Sequence, residues 1–193
     1  MLSFRFLSIF PAMLMVAVFM SCEKEDTQPI ESTVDISVSA STSGNNTYFS
    51  FEKGEVLTAT DVFSTNEWDF GLKLVFFQVN GGTDRAGQGG AMVLDNTFDN
   101  VTEAPETGYK TDNGADTAIK DEWYSYDPVA RSFTPKAGKV LVFRTGKGKY
   151  AKMEFIKGVP TDDNGNIVVP PVVPTKIRYT LRYVYQPDGS RKF

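Results

Sequence analysis

The sequence predicts an all-β domain, mostly antiparallel, built as a sandwich or a flattened barrel. Three observations carry that expectation. Beyond residue 33 apolar residues recur with period two almost throughout, the spacing of a strand with one buried face. Clusters of Gly, Asn, Asp and Pro separate these runs at hairpin distances, as at 80–82, 145–149 and 162–166. No segment after residue 21 carries a long helical apolar stripe, which leaves room for at most one or two short helices, one of them in 115–123. No period of 20–50 residues is visible, so a repeat array is not expected.

The elements follow in order. Val34, Ile36, Val38 and Ala40 alternate onto one face and predict a first strand over 34–41. Tyr48, Phe49 and Phe51 open a second strand, which Lys53 and Gly54 end, and 56–60 is a third short candidate. The densest apolar run is Phe70, Leu72, Leu74, Val75, Phe76, Phe77 and Val79, which reads as one buried strand. The glycines that follow, Gly81, Gly82, Gly87, Gly89 and Gly90, allow close approach to a neighbouring backbone or a ligand. Residues 91–94 are strand-like. The segment 98–119 has few apolar residues and many turn formers, and is expected on the surface. Residues 121–126 lead into a loop, 127–138. A Gly-containing turn then joins KVLVFR at 139–144 to YAKMEFI at 150–156 as a hairpin. Pro170, Pro171 and Pro174 exclude a central strand there. The last long strand, 176–186, sets Ile177, Tyr179, Leu181, Tyr183 and Tyr185 on one face, and 190–193 is read as a short return strand.

The chain has 193 residues with a formal net charge of −4, enough for one domain with a real core and without the basic cluster that nucleic acid requires. Residues 1–21 stand apart. A single charge, Arg5, precedes an apolar segment ending at Ser21 and Cys22, the pattern of a secretory signal; a retained membrane span is the alternative, but Pro11 interrupts the apolar part and it is short. Cys22 is the only cysteine, so no intrachain disulfide can form. Its position is that of a bacterial lipoprotein acylation site, where acyl chains such as palmitate anchor the protein. Glu23, Lys24, Glu25 and Asp26 fit either a surface-export tag or a solvated leader. The expected organisation is a lipoprotein signal peptide over 1–21, an acylated Cys and flexible tether over 22–33, and a single β domain over 34–193.

The chain holds no histidine, which excludes Ser-His-Asp and Cys-His catalysis and histidine-ligated zinc. An enzyme is therefore not expected. Gly146-Lys147-Gly148-Lys149 lacks the spacing, the Ser/Thr and the helix of a phosphate loop. Asp162-Asp163-Asn164-Gly165-Asn166 lacks the alternating ligands and closing Glu of a calcium loop and reads as a turn. No metal site is assigned.

Several pieces together resemble the HmuY family, haem-binding surface lipoproteins of the Bacteroidota. They are YFSFEKGE at 48–55, NEWDFGL at 66–72, VNGGTDRAGQGGA at 79–91, FDNVTEAPE at 98–106, KVLVFRTGKGKYAKMEFI at 139–156 and YTLRYVYQPDGSRKF at 179–193. The resemblance implies an HmuY-like β fold and a lipid-anchored, cell-surface protein of the outer membrane. It also implies haem or porphyrin as ligand, iron acquisition as role, and a TonB-dependent outer-membrane receptor as partner. Family members clamp the iron between a His pair or a Met pair on two loops ahead of the KVLVFRT-like strand. Here those loops are 104–118 and 124–137, and neither contains His or Met. Met92 and Met153 lie inside strand patterns. The iron-ligand candidates are therefore Tyr109, Tyr124 and Tyr126, since tyrosinate ligates ferric haem in some proteins. Lys110 is a further candidate, although its amine must first lose a proton against a reference pKa of about 10.4. Trp123 and Phe133 are candidates to stack on a flat ligand. The alternative is a module of the same fold that has lost haem and binds another ligand or a protein.

Overall fold

The computed structural model describes residues 27–58, 61–130 and 132–193. The expected signal segment and Cys22 lie outside the described residues. Among the described residues there is no helix and eleven strands pair antiparallel. Five form one sheet in the order β1 (Ile30–Ser39), β11 (Lys176–Gln186), β10 (Tyr150–Thr161), β9 (Lys139–Arg144), β6 (Gly90–Asp95). Four form a second sheet in the order β3 (Glu55–Leu57), β2 (Thr47–Ser50), β4 (Phe70–Lys73), β5 (Phe76–Val79). A separate hairpin joins β7 (Tyr124–Asp127) to β8 (Ser132–Pro135). The architecture is a sandwich and not a closed barrel.

The main core lies between the two large sheets. The predicted face of β11 supplies Ile177, Tyr179, Leu181, Tyr183 and Tyr185, all buried, against Phe49, Phe51, Phe70, Leu72 and Phe77 of the facing sheet and its flanks. The far side of the five-stranded sheet carries a second, smaller core. Val140, Val142 and Val184 meet Phe98, Val101 and Ala104 there. This is why KVLVFR is apolar without alternation: both faces of β9 are covered.

The second core refines the expectation that 98–119 lies on the surface: most of the segment is exposed, but Phe98, Val101 and Ala104 are buried against the sheet. The segment lays its few apolar side chains on the sheet, and a buried lysine fastens it. Lys152 Nζ donates to the carbonyls of Phe98 (2.8 Å) and Val101 (2.9 Å) and sits 4.3 Å from the Phe98 ring centre. The ammonium thus satisfies carbonyls that would otherwise be buried without partners.

Four further expectations are revised. The apolar run of 70–79 is two strands, with a turn at Leu74 and Val75, because tertiary contacts bury that turn. The first strand begins at Ile30, where it pairs with Tyr185. The short helix at 115–123 does not form. Its backbone is drawn into local turns, with Thr117 Oγ1 donating to Ile119 O and Lys120 N donating to Glu122 Oε2. Residues 190–193 do not return as a strand. They bridge Glu103 through Lys192, and Phe193 N donates to Thr102 O at 2.9 Å.

The glycine-rich stretch packs against its own chain. A Cβ on Gly81 would lie 1.8 Å from the Gly89 carbonyl oxygen, and one on Gly89 would lie 2.5 Å from that of Asn80. Asn80, fully buried, donates from Nδ2 to the carbonyls of Thr65 and Trp68, both at 2.9 Å. These glycines serve close backbone packing.

Candidate functional site

The β7–β8 hairpin is short and punctuated by Asp127, whose Oδ1 accepts from the N–H groups of Val129 (2.8 Å) and Ala130 (3.1 Å). Period two puts Tyr124 and Tyr126 on one face. Phe133, directly opposite Tyr126, joins them, with ring centroids 5.4 Å from Tyr124 and 4.7 Å from Tyr126. Three of the sequence candidates therefore form one aromatic row.

Two clefts flank that row. The narrower, about 170 Å³, is lined by Tyr126, Phe133, Leu74, Pro160, Val173 and Ile177 among others. The wider, about 430 Å³, is lined by Val75, Phe76, Ala115, Thr117, Ile119, Lys120, Asp121 and Tyr124. Only the wider one falls in the roughly 300–1,000 Å³ range of small-molecule sites. The turn between β4 and β5 is the ridge between them: Leu74 faces one cleft and Val75 the other.

The walls are fixed from below. Leu74, at φ 51°, is held by its N–H donating to Ser39 O at 2.7 Å and by its carbonyl accepting from the Tyr179 hydroxyl at 2.9 Å. Asp112 pins the other wall. Its Oδ2 accepts from Val79 N and its Oδ1 from Ala118 N, each at 2.9 Å, which ties 112–118 to the end of β5. Burial pushes the Asp112 carboxyl above the usual range, against these two donors and Arg85.

Tyr124 and Lys120, both on the wider cleft, have their protonated forms favoured. Burial raises the Tyr124 phenol, and the Asp121 carboxylate raises it further. Lys120 is ion-paired to Asp116 at 2.7 Å, and that hydrogen bond keeps its ammonium above the ordinary lysine value.

The other candidates lie elsewhere. Trp123 is buried beneath the row with one ring face on Phe155, at 4.3 Å and 24° between planes, and with Phe77, Tyr124 and Tyr179 against it edge-on. Its ring is part of the core. Lys110 uses its backbone to pair with Ala91 at 2.8 and 3.0 Å and keeps an exposed side chain. Tyr109 lies in the second core, on the far face of the five-stranded sheet, 6.0 Å from Tyr150; burial raises its phenol and its hydroxyl has no hydrogen-bond partner. Met153 is fully buried in the main core, and Met92 is half-buried in the second.

Sequence reasoning did not single out Phe76, which is 47% exposed at the mouth of the wider cleft. The doublet of Phe76 and Phe77 held a signal, since strict alternation must turn one of the two rings outward.

Fold and site together make an antiparallel β domain with an aromatic hairpin between two clefts. Residues 42–133, which contain β7, the first two residues of β8 and the 115–121 wall, match the HmuY protein family. In fold the chain is similar to an apo HmuY analogue of Tannerella forsythia, at 18% identity and a TM-score of 0.55, covering 84% of this chain and 99% of that one. It is also similar to a Bacteroides vulgatus protein described as a candidate HmuY-like heme-binding protein (19% identity, TM-score 0.46, 80% and 92% covered). A third similar structure is a candidate lipoprotein of Bacteroides fragilis (14% identity, TM-score 0.47, 77% and 88% covered). No curated protein matches the chain by sequence.

Haem is the group this family implies, and the donor set can be tested against it. The aromatic and aliphatic wall of the wider cleft fits a flat ring. The ligand groups fit an iron poorly: the Tyr124 phenol holds its proton more firmly than usual, and the Lys120 ammonium is paired to Asp116.

Proposed function

We propose that this protein is a cell-surface lipoprotein that binds haem or a related tetrapyrrole for iron or haem acquisition. The observation that carries the reading is the aromatic row of Tyr124, Tyr126 and Phe133 between two clefts, all within the stretch that matches HmuY. The ring would enter the wider cleft, between Phe76 and Tyr124 on one side and the 115–121 wall on the other. Anchoring would come from acylated Cys22 at the outer membrane. The topology supports outward presentation. The chain enters β1 where Ile30 pairs with Tyr185, while the clefts adjoin Ser39 and Ile177 at the other end of the same strands. A TonB-dependent receptor is the partner that the family resemblance supports.

The test is a titration of the purified chain with ferric haem, followed in the visible spectrum. A saturable change at micromolar concentration is expected. Phe76→Ala and Tyr124→Ala should each weaken it by about three- to tenfold, the scale of one aromatic contact. No saturable change favours a second reading, a module of the same fold that binds another ligand or a protein. That reading has its own support: Val129 (89% exposed), Val173 (71%) and Val169 (67%) are exposed on the hairpin tip and the 167–174 loop. The 167–174 loop lines the narrower cleft through Val173, and Ala130 of the hairpin tip meets the same loop.

A further inference from the structure

We propose that the wider cleft holds a tetrapyrrole by its ring and not by its metal, so that iron-free porphyrin and ferric haem are equivalent ligands. The inference rests on the tetrapyrrole reading above and goes beyond it to what the site recognises.

The argument starts with the groups that could give iron an electron pair. Four lining residues carry heteroatoms: Thr117, Lys120, Asp121 and Tyr124. Thr117 Oγ1 is committed to Ile119 O at 2.8 Å. Lys120 Nζ is committed to Asp116 at 2.7 Å as an ammonium, with all its valences on hydrogen. The Tyr124 ring packs edge-on against Phe133, and burial, with the Asp121 carboxylate adding to it, disfavours a phenolate. Asp121 is an exposed side chain on the rim, where water competes for a single carboxylate.

Among the described residues, the other donors considered lie away from this cleft, with Tyr126 on the neighbouring one. The sequence has no histidine. Met153 is sealed in the main core, and Met92 and Tyr109 lie on the opposite face of the five-stranded sheet.

The remaining contacts are blind to the metal. Phe76, Tyr124, Val75 and Ile119 offer ring stacking and dispersion, which depend on the macrocycle's area. The rim's one lysine is shared with Asp116, which weakens it as a clamp for ligand carboxylates. Ligand carboxylates are thus left to solvent, and binding should respond little to salt.

The experiment titrates the purified chain in parallel with ferric haem and with metal-free protoporphyrin IX, following quenching of protein fluorescence. Equal dissociation constants, within about threefold or 0.7 kcal/mol, support the inference. Phe76→Ala and Phe76→Leu should weaken both ligands by the same factor, and any effect of Tyr124→Phe should fall on both ligands alike. Ferric haem binding more than about tenfold tighter than porphyrin, or losing affinity selectively in Tyr124→Phe, overturns the inference and leaves the tetrapyrrole reading standing. If neither ligand saturates, the reading itself falls, and the inference with it.

Discussion

The hydroxyl of Tyr179 donates to the carbonyl of Leu74 at 2.9 Å, joining residues 105 positions apart. Tyr179 stands in the middle of β11, and Leu74 is the left-handed residue of the turn between β4 and β5. A leucine at φ 51° is an uncommon conformation that its surroundings must stabilise. Here that stabilisation comes from the opposite sheet, so the ridge between the two clefts depends on the core beneath it.

Tyr179→Phe removes that donor and leaves a carbonyl without its partner. The expected loss is about 1–2 kcal/mol of folding stability. A urea unfolding curve with a lower midpoint and an unchanged slope would show it. An unchanged midpoint would mean that the bond does not hold the turn.

Asp69 makes stability depend on pH. Its buried carboxyl accepts from Phe51 N at 2.7 Å and Gly146 N at 3.0 Å, tying β2's end to the 145–149 turn. Burial nevertheless raises its pKa from 3.8 to about 7, with Glu52 adding to the rise and Lys147 opposing it. The folded chain therefore keeps a proton that the unfolded chain releases near pH 4. Asp69's contribution is full below that point and is lost as the pH rises through about 7. At about 1.4 kcal/mol per unit, the difference amounts to a few kcal/mol at most. Asp69→Asn should be less stable at low pH, because an amide NH2 faces one of the two backbone N–H donors that the carboxyl oxygens accept from. The difference between it and the parent should shrink between about pH 4 and 7. Parallel pH curves for the two proteins would refute this account.

Two glycines separate crowding from backbone strain. A Cβ on Gly81 would meet the Gly89 carbonyl oxygen at 1.8 Å, whereas one on Gly114, at φ 59°, would meet nothing within 4 Å. Gly114→Ala should cost only the left-handed penalty of about 1–2 kcal/mol. Gly81→Ala must separate two backbones and should cost more than about 4 kcal/mol, seen as loss of a cooperative melting transition. Equal melting temperatures for the two variants would contradict the packing described for this loop.

Replacement of Cys22 by Ala tests the anchor. Acylated Cys22 predicts a protein found in the membrane fraction, and Cys22→Ala should leave it soluble or block its maturation. The measurement is fractionation of cells expressing each form. The same membrane distribution for both would remove the anchor from the functional reading.

The sequence by itself determined the class of fold and most of its strands. Alternation at Ile177, Tyr179, Leu181, Tyr183 and Tyr185 marked the buried face of β11, and that face is the core. The Gly-containing turn at 145–149 marked the β9–β10 hairpin. Such signals are local: side-chain period and turn chemistry are decided by residues a few positions apart. What only the tertiary structure decided lay where distant segments meet. The turn at Leu74 and Val75 was hidden because both residues are apolar, and it exists because Ser39 and Tyr179 complete its hydrogen bonds. Residues 98–104 looked like surface because their apolar content is low, yet Phe98, Val101 and Ala104 are core, in a segment fastened where Lys152 captures two of its carbonyls. The candidate site shows the same division. The aromatic row from Tyr124 to Phe133 was legible in one short segment. Its opposition to Phe76, and its separation from Tyr109 by a whole sheet, follow from strand order and register, which depend on long-range pairing and not on any local pattern.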